Sequence, residues 1–297
     1  MNMKRSMIIF VIAMTMILAA CSSNNNGNNN DEAATSIEVK EVVGIEPGSG
    51  TMTIAQETID EYGLDMKLTA SSEPAMLTEL ESAISKEESI VVTLWQPHWM
   101  FTKHDLKFLE DPKKTLGEAE NIHTMVRKGL ADDKPEAYTL LDNFYWEVED
   151  MNDVMSQFAE DDDVEPRDAA KNWIEENPDK VAAWTEGIDQ VDGEEIELAY
   201  VNWDTELSST NVVALVLEDL GYDVTLTALD MGIAFESLSL GDVDGMLIAW
   251  LPIGAASYKE QYDDKIDDLG PSLEGAQQGF VVPAYMDIDS IEELPMK

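Results

Sequence analysis

Two apolar segments that end in Trp-x-Pro constrain the fold of this chain most strongly. Residues 89–97 carry Trp95 and residues 244–252 carry Trp250. Each pattern predicts a buried strand, because its apolar residues form a nearly continuous run and a proline ends it. Open α/β sheets bind their ligands at the C-terminal ends of strands. Two such ends in matching positions therefore predict a cleft in which tryptophans face each other.

The segments around these tryptophans repeat one order of elements. Residues 38–100 and 195–258 each begin with a predicted strand, followed by a helix, a second strand and a second helix before the Trp-x-Pro strand. The helices are predicted from apolar residues at helical spacing, over 51–62, 74–85, about 208–220, and 231–240. Strand–helix alternation repeated twice predicts an α/β fold with mostly parallel sheets. A duplication of this type favours two lobes with a ligand cleft between them.

Only helices are predicted between the two repeated segments, over about 116–187. The predicted helices are separated by turns rich in Asp, Asn and Pro, and they cover 117–130, 135–143, 149–159 and 166–177. Three tryptophans lie at helical spacing among aliphatic residues and are predicted to be core: Trp146, Trp173 and Trp184.

The N-terminus predicts export and a lipid anchor. Lys4 and Arg5 precede an apolar run that is too short to span a membrane, as in a secretory signal over 1–20. The run ends Leu-Ala-Ala-Cys, which resembles a bacterial lipobox, so Cys21 is the predicted lipidation site. An ordinary secretory signal with an unrelated cysteine is the alternative. Cys21 is the single cysteine of the chain, so no intrachain disulfide forms. The Asn-rich residues 21–37 predict a flexible tether.

The charge of the chain excludes one class of partner. It carries 61 acidic and 18 basic residues, for a net charge of −43 at pH 7. Nucleic acid is repelled at such a charge, and we expect none as a partner. Most of the carboxylates are interpreted as solvated surface. Life in a saline medium is a further interpretation, because salt screens their mutual repulsion.

No pattern in the sequence predicts a metal, a cofactor or a catalytic residue. The three histidines are scattered, without the spacing of metal ligands. Carboxylates are so frequent that no catalytic pair can be singled out. Two alternatives remain open at this point: a surface hydrolase that uses Asp204 or Asp244 as general acid or base, and a structural surface lipoprotein without a small ligand.

The residues suit the binding of a small zwitterion. Trp95, Trp203 and Trp250 each lie at a predicted strand end or just after one. Three indoles around a methylated ammonium contribute cation–π attraction of roughly 0.5–2 kcal/mol each when desolvated. The turn at 48–51 opens a helix and offers backbone N–H groups to an anion. A methylated cation at one end and a carboxylate at the other describe a betaine.

With these residues in place, the chain resembles a glycine betaine ABC-transporter substrate-binding lipoprotein of Gram-positive bacteria. The resemblance covers almost all of the chain after the signal. The matching segments are 44–50 (Gly-Ile-Glu-Pro-Gly-Ser-Gly), 95–101 (Trp-Gln-Pro-His-Trp-Met-Phe), 109–112, 122–129, 199–204, 249–252 and 279–285. The order of the two halves resembles that of a subgroup of the family in which the half with Gly-Ser-Gly comes first. This order is a circular permutation of the order in other members.

The resemblance implies a two-lobed periplasmic-binding-protein-like fold of type II. Lobe 1 is expected over 38–116 with 279–297 returning to it, and lobe 2 over 117–278. The implied function is to bind glycine betaine or a related quaternary ammonium osmolyte, without catalysis, and to deliver it for osmoprotection. Choline, carnitine, proline betaine and a sulfonium osmolyte are alternative ligands.

The resemblance also implies partners and a location. The partners are an ABC permease with its cytoplasmic ATPase and the membrane that holds the lipid anchor. We expect a monomer, at the extracellular face of a Gram-positive cell membrane or on the periplasmic side.

The resemblance assigns the residues of the site. In that family a prism of three tryptophans holds the trimethylammonium group, here Trp95, Trp203 and Trp250. Two backbone amides, matching Gly50 and Thr51, contact the carboxylate. A histidine five residues after the last cage tryptophan completes the family's set, and this chain has Ala255 there. Ser49 and His98 are further candidates. Weaker binding of the ligand carboxylate is therefore expected.

Overall fold

The computed structural model describes residues 39–161 and 163–297. Within them the strands are β1 (Glu41–Val43), β2 (Lys67–Thr69), β3 (Val91–Gln96), β4 (Leu106–Phe108), β5 (Glu120–Arg127), β6 (Glu195–Tyr200), β7 (Asp223–Ala228), β8 (Gly245–Leu251) and β9 (Ile266–Pro283). The helices are α1 (Gly50–Tyr62), α2 (Glu73–Lys86), α3 (Met100–Lys103), α4 (Leu130–Asp133), α5 (Pro135–Asn143), α6 (Val148–Glu160), α7 (Pro166–Glu176), α8 (Pro178–Trp184), α9 (Asp204–Asp219), α10 (Met231–Leu240) and α11 (Ala256–Tyr262), with a 3₁₀ turn at Ile291–Glu293.

The two repeated segments have the same strand arrangement. In the first, β1 lies between β2 and β3 and is parallel to both. In the second, β6 lies between β7 and β8 and is parallel to both. In each half, a helix follows each of the first two strands and returns the chain to the start of the next parallel strand, as in other α/β folds. The predicted α/β class with parallel strands in both halves is confirmed.

Two antiparallel strands join these parallel units. The long strand β9 pairs first with β5 and then, from Gln277 onward, with β3. The strand order is therefore β2-β1-β3-β9-β5-β8-β6-β7, and β4 pairs with the end of β9. Each half has its first strand between its second and third, with an antiparallel strand beside the third. This arrangement agrees with the predicted type II fold. The lobe boundaries at 116/117 and 278/279 remain a prediction.

The helix predicted over 117–130 is wrong, because residues 120–127 form β5. This strand lies between β8 and β9, and the buried side chains of Glu120, Ile122 and Thr124 alternate with half-buried ones. Pairing on both edges outweighs the weak helical spacing of this segment. The short helix α8 and the strand β9 were also not predicted from the sequence pattern.

Helix α1 shows how the local sequence positions the loop that precedes it. The side chain of Ser49 caps the helix by accepting a hydrogen bond from the N–H of Met52 at 3.3 Å. Gly63 ends the helix with a φ of 67°, which glycine adopts without strain. Ile54, Thr58 and neighbouring side chains on one face are buried. The N-terminus of α1 is therefore held at a defined place beside β3.

The helical region contains the predicted tryptophan core. Trp146, Trp173 and Trp184 are all buried, as predicted. Trp173 stacks on Trp184 with ring centroids 5.8 Å apart and an interplanar angle of 12°. Trp173 belongs to α7 and Trp184 is the last residue of α8, so the cluster joins these two helices.

The predictions for the N-terminus concern residues that lie outside the described ranges. These are the signal over 1–20, the lipidation site Cys21 and the tether over 21–37. In residues 39–161 and 163–297, no helix has both the length and the apolar character needed to cross a membrane.

Candidate functional site: a tryptophan-lined cleft

Three tryptophans from different elements meet at the strand ends. Trp95 lies near the end of β3 and Trp250 near the end of β8, each two residues before a cis proline. Trp203 follows β6 and is the N-cap of α9. The ring centroid of Trp95 lies 5.8 Å from that of Trp203 and 6.5 Å from that of Trp250, with interplanar angles of 50° and 74°. The structure therefore brings together the three predicted cage residues.

The rings surround a small cavity that solvent hardly reaches. The three tryptophans are only 4–6% exposed, and the cavity volume is ≈ 20 Å³. Its apolar end is formed by Trp95, Trp203, Trp250 and Met231. Its polar end is formed by Gly50, Thr51, Gly254 and Gln278. Aromatic faces in a nearly dry site attract a cation without needing to donate or accept hydrogen bonds.

Carboxylates lie behind two of the indole rings. The Nε1–H of Trp203 donates to Oε2 of Glu46 at 2.9 Å, and the Nε1–H of Trp250 donates to Oε1 of Glu206 at 3.3 Å. Among the described residues, the buried indole N–H of Trp95 has no hydrogen-bond partner. A negative charge next to an indole N–H makes the ring face more negative, so both the rings and the carboxylates favour a cation in the cavity.

A second layer of polar residues lies next to Trp95, and the sequence named His98 and Asp204 as candidates but did not predict Glu73 or the contacts within this layer. Glu73 accepts hydrogen bonds from Nε2 of His98 at 3.0 Å and from the backbone N–H of Asp204 at 3.0 Å. The Nε1–H of Trp99 donates to Oδ2 of Asp204 at 2.7 Å. Glu73 therefore satisfies a free N–H at the start of α9 from across the cleft. These residues come from three distant segments, so no local pattern could show their contact.

His98 contacts the cage from behind and is not part of its lining. Its ring lies 5.5 Å from that of Trp95, edge to face. Its Nδ1 accepts from the N–H of Met100, so the remaining proton of the neutral ring is on Nε2 and faces Glu73. Burial lowers the pKa of His98 to about 3, which keeps the ring neutral.

Three side chains in this layer, each of a type that can coordinate a metal ion, come close together. One ligand atom each of Glu73, His98 and Asp204 lies within 4.8 Å of the others. The positions of these three residues in the sequence do not have the spacing of metal ligands, so the sequence did not predict their proximity. Each of the three already has a hydrogen-bond partner in the protein, and these partners account for their burial without a metal ion.

Burial raises the pKa of the carboxyl groups near the cage. It raises the pKa of Glu206 to about 7 and that of Glu73 well above its usual value. The pKa of Asp204 is also raised by burial, although the hydrogen bond from Trp99 opposes the shift. A cation in the cage favours the ionised form of each group, so ligand binding and proton release are linked there.

The polar end of the cavity begins at the N-terminus of α1. Gly50 and Thr51 occupy the first two positions of the helix, whose N–H groups have no intrahelical partner. Their backbone matches the predicted anion contacts and lines the cavity. A Cβ atom on Gly50 would lie 1.6 Å from the carbonyl oxygen of Gly254, so only glycine permits this approach of the two halves. Ser49 is buried beside them, and its hydroxyl is the cap of α1.

Two further polar residues lie at this end, and sequence reasoning missed both. Gln278 lies opposite Trp95 in the pairing of β3 with β9, which places both side chains on one face of the sheet. Its Oε1 accepts from Oγ1 of Thr51 at 2.7 Å, and its Nε2 donates to Oε2 of Glu120 at 2.5 Å. The register of β9 could have identified Gln278, but that strand was not predicted.

Ala255 does not line the cavity. It is fully buried, and its backbone N–H donates to the carbonyl of Trp250 at 2.7 Å. The preceding residue, Gly254, provides the surface of this loop at the cavity. Its N–H donates to Oε1 of Glu120 at 2.7 Å, as does that of Ile253 at 3.0 Å.

The two candidate acids of the hydrolase alternative do not form a common site. Asp204 lies beside Trp99, whereas Asp244 accepts hydrogen bonds from Arg127 at 2.8 Å and Lys134 at 2.7 Å. Asp244 lines a separate cavity that shares no lining residue with the cage. Burial raises the pKa of Asp244, but its hydrogen bonds, led by that from Lys134, outweigh burial and hold it below its usual value. Asp244 therefore serves as the partner of two cations.

The sequence matches a known family of transport proteins. The family described as the substrate binding domain of ABC-type glycine betaine transport system matches residues 28–176 and 194–297. The glycine betaine/carnitine transport binding protein of Listeria monocytogenes is 51% identical over 257 residues, which covers 85% of this chain and 85% of that protein.

Solved structures of similar proteins match about half of the chain. A lactococcal protein in a closed conformation with glycine betaine is 46% identical, with a TM-score of 0.47, over 49% of this chain and 57% of that one. A glycine betaine/L-proline-binding protein from Borrelia burgdorferi is 37% identical, with a TM-score of 0.48, over 50% of this chain and 56% of that one. This chain thus spans little more than half the length of these solved structures in the matched regions.

Proposed function

Since this chain belongs to the family of substrate-binding domains of ABC-type glycine betaine transport systems, we propose that its tryptophan cage holds the quaternary ammonium group of glycine betaine. Carnitine, which also carries a trimethylammonium and a carboxylate, is the next candidate, because the Listeria relative is named for both ligands. The observation that carries the proposal is the contact of Trp95, Trp203 and Trp250 around one buried cavity.

The cage suits a methylated cation better than an ordinary ammonium. An ammonium with N–H groups loses its hydrogen bonds to water when it enters an aromatic site, whereas a trimethylammonium has none to lose. The carboxylates behind the indoles add attraction for the positive charge. The N–H groups of Gly50 and Thr51 are the proposed donors to the ligand carboxylate.

Hydrogen bonds across the cleft support a mechanism of closure around the ligand. Trp203 donates to Glu46, and the hydroxyl of Tyr258 donates to the carbonyl of Gly48 at 2.5 Å. Each bond joins the first half of the chain to the second. We propose that they form as the halves close, so that the ligand is held away from water until it is released to the permease.

We further propose that the protein is a lipid-anchored monomer and catalyses no reaction. Its family consists of transport substrate-binding proteins rather than enzymes. The lipobox-like sequence at 18–21 supports an anchor on Cys21, at the outer face of the cytoplasmic membrane. The partners would be an ABC permease and its cytoplasmic ATPase. Replacing Cys21 by Ala should release the protein from the membrane fraction into the medium, and unchanged membrane retention would contradict the anchor.

Calorimetric titration with a matched set of small molecules tests the ligand. Glycine betaine should bind and glycine should not, because the two share a carboxylate and differ only in the methyl groups on nitrogen. Carnitine and choline in the same series rank the alternatives. The proposal fails if none of the methylated ammonium compounds binds. A preference for choline would keep the cage and change the ligand.

A further inference from the structure

We propose that Glu120 and Gln278 are a positioning pair that sets the selectivity of the cage between zwitterionic betaines and quaternary cations without a carboxylate. The inference rests on the proposed function, because it concerns the same cavity. Neither residue was predicted from the sequence, and Glu120 does not itself line the cavity. The pair lies at the polar end, where the ligand carboxylate is expected.

The pair occupies the place where the two halves join. Glu120 is the first residue of β5 and pairs with Ala276 on β9. Gln278 follows on β9, opposite Trp95 on β3. The side chains of the pair therefore link the strand that enters the second half to the strand that leaves it.

The hydrogen bonds of the pair fix which way the Gln278 amide faces. Both oxygens of Glu120 are acceptors: Oε1 takes the N–H groups of Ile253 and Gly254, and Oε2 takes the Nε2–H of Gln278. Burial raises the pKa of Glu120, and these three hydrogen bonds oppose the shift by stabilising the ionised form. An ionised carboxylate can only accept, so the amide nitrogen of Gln278 faces Glu120. Its carbonyl oxygen then faces Thr51 and accepts the hydroxyl proton of that residue.

This orientation leaves few donors for a ligand carboxylate. The hydroxyl of Thr51 and one N–H of the Gln278 amide both donate within the protein, and the carbonyl oxygen of that amide faces Thr51. The buried charge of Glu120, which has no cationic partner among its contacts, also repels a ligand anion. The donors that remain are the backbone N–H groups of Gly50 and Thr51 and the second N–H of the Gln278 amide. The pair thus lowers affinity for a carboxylate and leaves the aromatic end unaffected.

The substitution Glu120→Gln reverses this arrangement with almost no change in size. Its Oε1 can still accept from Ile253 and Gly254, but its Nε2 now donates. The side-chain amide of Gln278 then rotates by about 180°, so that its oxygen accepts from the new amide at position 120 and its Nε2–H faces Thr51 and the cavity. Calorimetry at neutral pH should show glycine betaine binding about tenfold more tightly, because one donor is gained and one buried charge is lost. Affinity for choline should change by less than about twofold.

Two more variants complete the test. Glu118→Gln removes the same charge at an exposed position two residues away and should change neither affinity. Gln278→Met removes the amide and frees the Thr51 hydroxyl, so glycine betaine should bind roughly threefold more tightly and choline should not. In the double variant, Glu120→Gln should add less to Gln278→Met than it adds to the wild type, since only the loss of the buried charge then remains.

The possible failures of the two proposals are distinct. If the wild type binds neither glycine betaine nor choline, the proposed function is wrong. If the wild type binds but Glu120→Gln weakens both ligands equally, or changes neither, the positioning role is wrong and the pair only supports the fold. Thermal melting of each variant shows whether it is folded, and Gln278→Met provides the same test of selectivity should Glu120→Gln fail to fold.

Discussion

The two ends of the cavity are built in different ways. At the cation end, three rigid rings lie on or next to strands of two similar halves, with carboxylates behind two of them. At the anion end, the contacts come from a helix N-terminus, a loop and side chains of the two joining strands. The cation end is therefore set by the strand framework, whereas the anion end depends on how the two halves meet.

This difference shows where selectivity can change without loss of binding. In the proposed complex the rings contact a group that all quaternary ammonium osmolytes share, so we expect them to determine whether any of these compounds binds. The polar end would contact the part of the ligand in which these compounds differ. Substitutions at the cation end should therefore change the affinity for all these ligands alike, whereas substitutions at the polar end should change the affinity for some of them more than for others.

Loss of a ring should have the largest effect on affinity, and this effect should be the same for every ligand. Replacing Trp95, Trp203 or Trp250 by Ala should weaken both glycine betaine and choline by about 30-fold each, the cost typical of a buried aromatic contact. Phe should cost less, because a ring face remains. Titration calorimetry measures both constants, and Trp184→Phe in the distant core is the control. If two of the three Ala variants bind normally, the cage is wrongly assigned.

A Cβ atom at Gly50 should have the next largest effect. Gly50→Ala places a methyl group 1.6 Å from the carbonyl oxygen of Gly254, so the halves cannot approach as closely. Overpacking of this type corresponds to about tenfold weaker binding, and glycine betaine should suffer more than choline. Gly254→Ala, whose Cβ would have its nearest neighbour at 3.2 Å, should cost less. Equal effects of the two substitutions would contradict this role of Gly50.

The buried acid behind Trp250 should produce a moderate pH effect. Glu206 has a folded pKa of about 7, raised from 4.5 by burial, so the folded state holds this proton more tightly than the unfolded state. Its contribution to stability is therefore lost as pH rises from about 4.5 to 7, by at most about 3 kcal/mol. Chemical denaturation of wild type and Glu206→Gln should show a difference in unfolding free energy that grows in favour of the variant over this range.

The same group should make binding pH-dependent at the cation end. A cation favours the ionised form of Glu206, so both glycine betaine and choline should bind roughly threefold more tightly at pH 8 than at pH 6. The Glu206→Gln variant should lack this increase. An increase that persists in the variant would assign the linkage to Glu73 or Asp204 instead.

Salt should have the smallest effect on binding. A desolvated aromatic cage is screened little, so affinity should change by less than about twofold between low and about 1 M salt. The stability of the chain should instead rise with salt, because its net charge of −43 is screened. Affinity that falls steeply with salt would indicate that the carboxylates, rather than the rings, bind the ligand.

The sequence alone predicted the parts of this protein that depend on local pattern. Apolar runs closed by Trp-x-Pro predicted β3, β8 and the positions of Trp95 and Trp250, because buried parallel strands need continuous apolar residues. Helical spacing predicted α10 over 231–240. The cage residues could be chosen because equivalent strand ends in two repeated halves meet at one edge of the sheet.

Only the tertiary structure decided β5, β9 and the place of Glu120, Gln278 and Gly254 at the polar end of the site. The segment 120–127 becomes a strand because two neighbours pair with it, and no local pattern shows those neighbours. The contact of Gln278 with Thr51 joins residues 227 positions apart, and that of Glu120 with Gly254 joins residues 134 apart. Hydrogen bonds between such distant side chains depend on strand register and on the approach of the two halves, which the sequence encodes only through the fold as a whole.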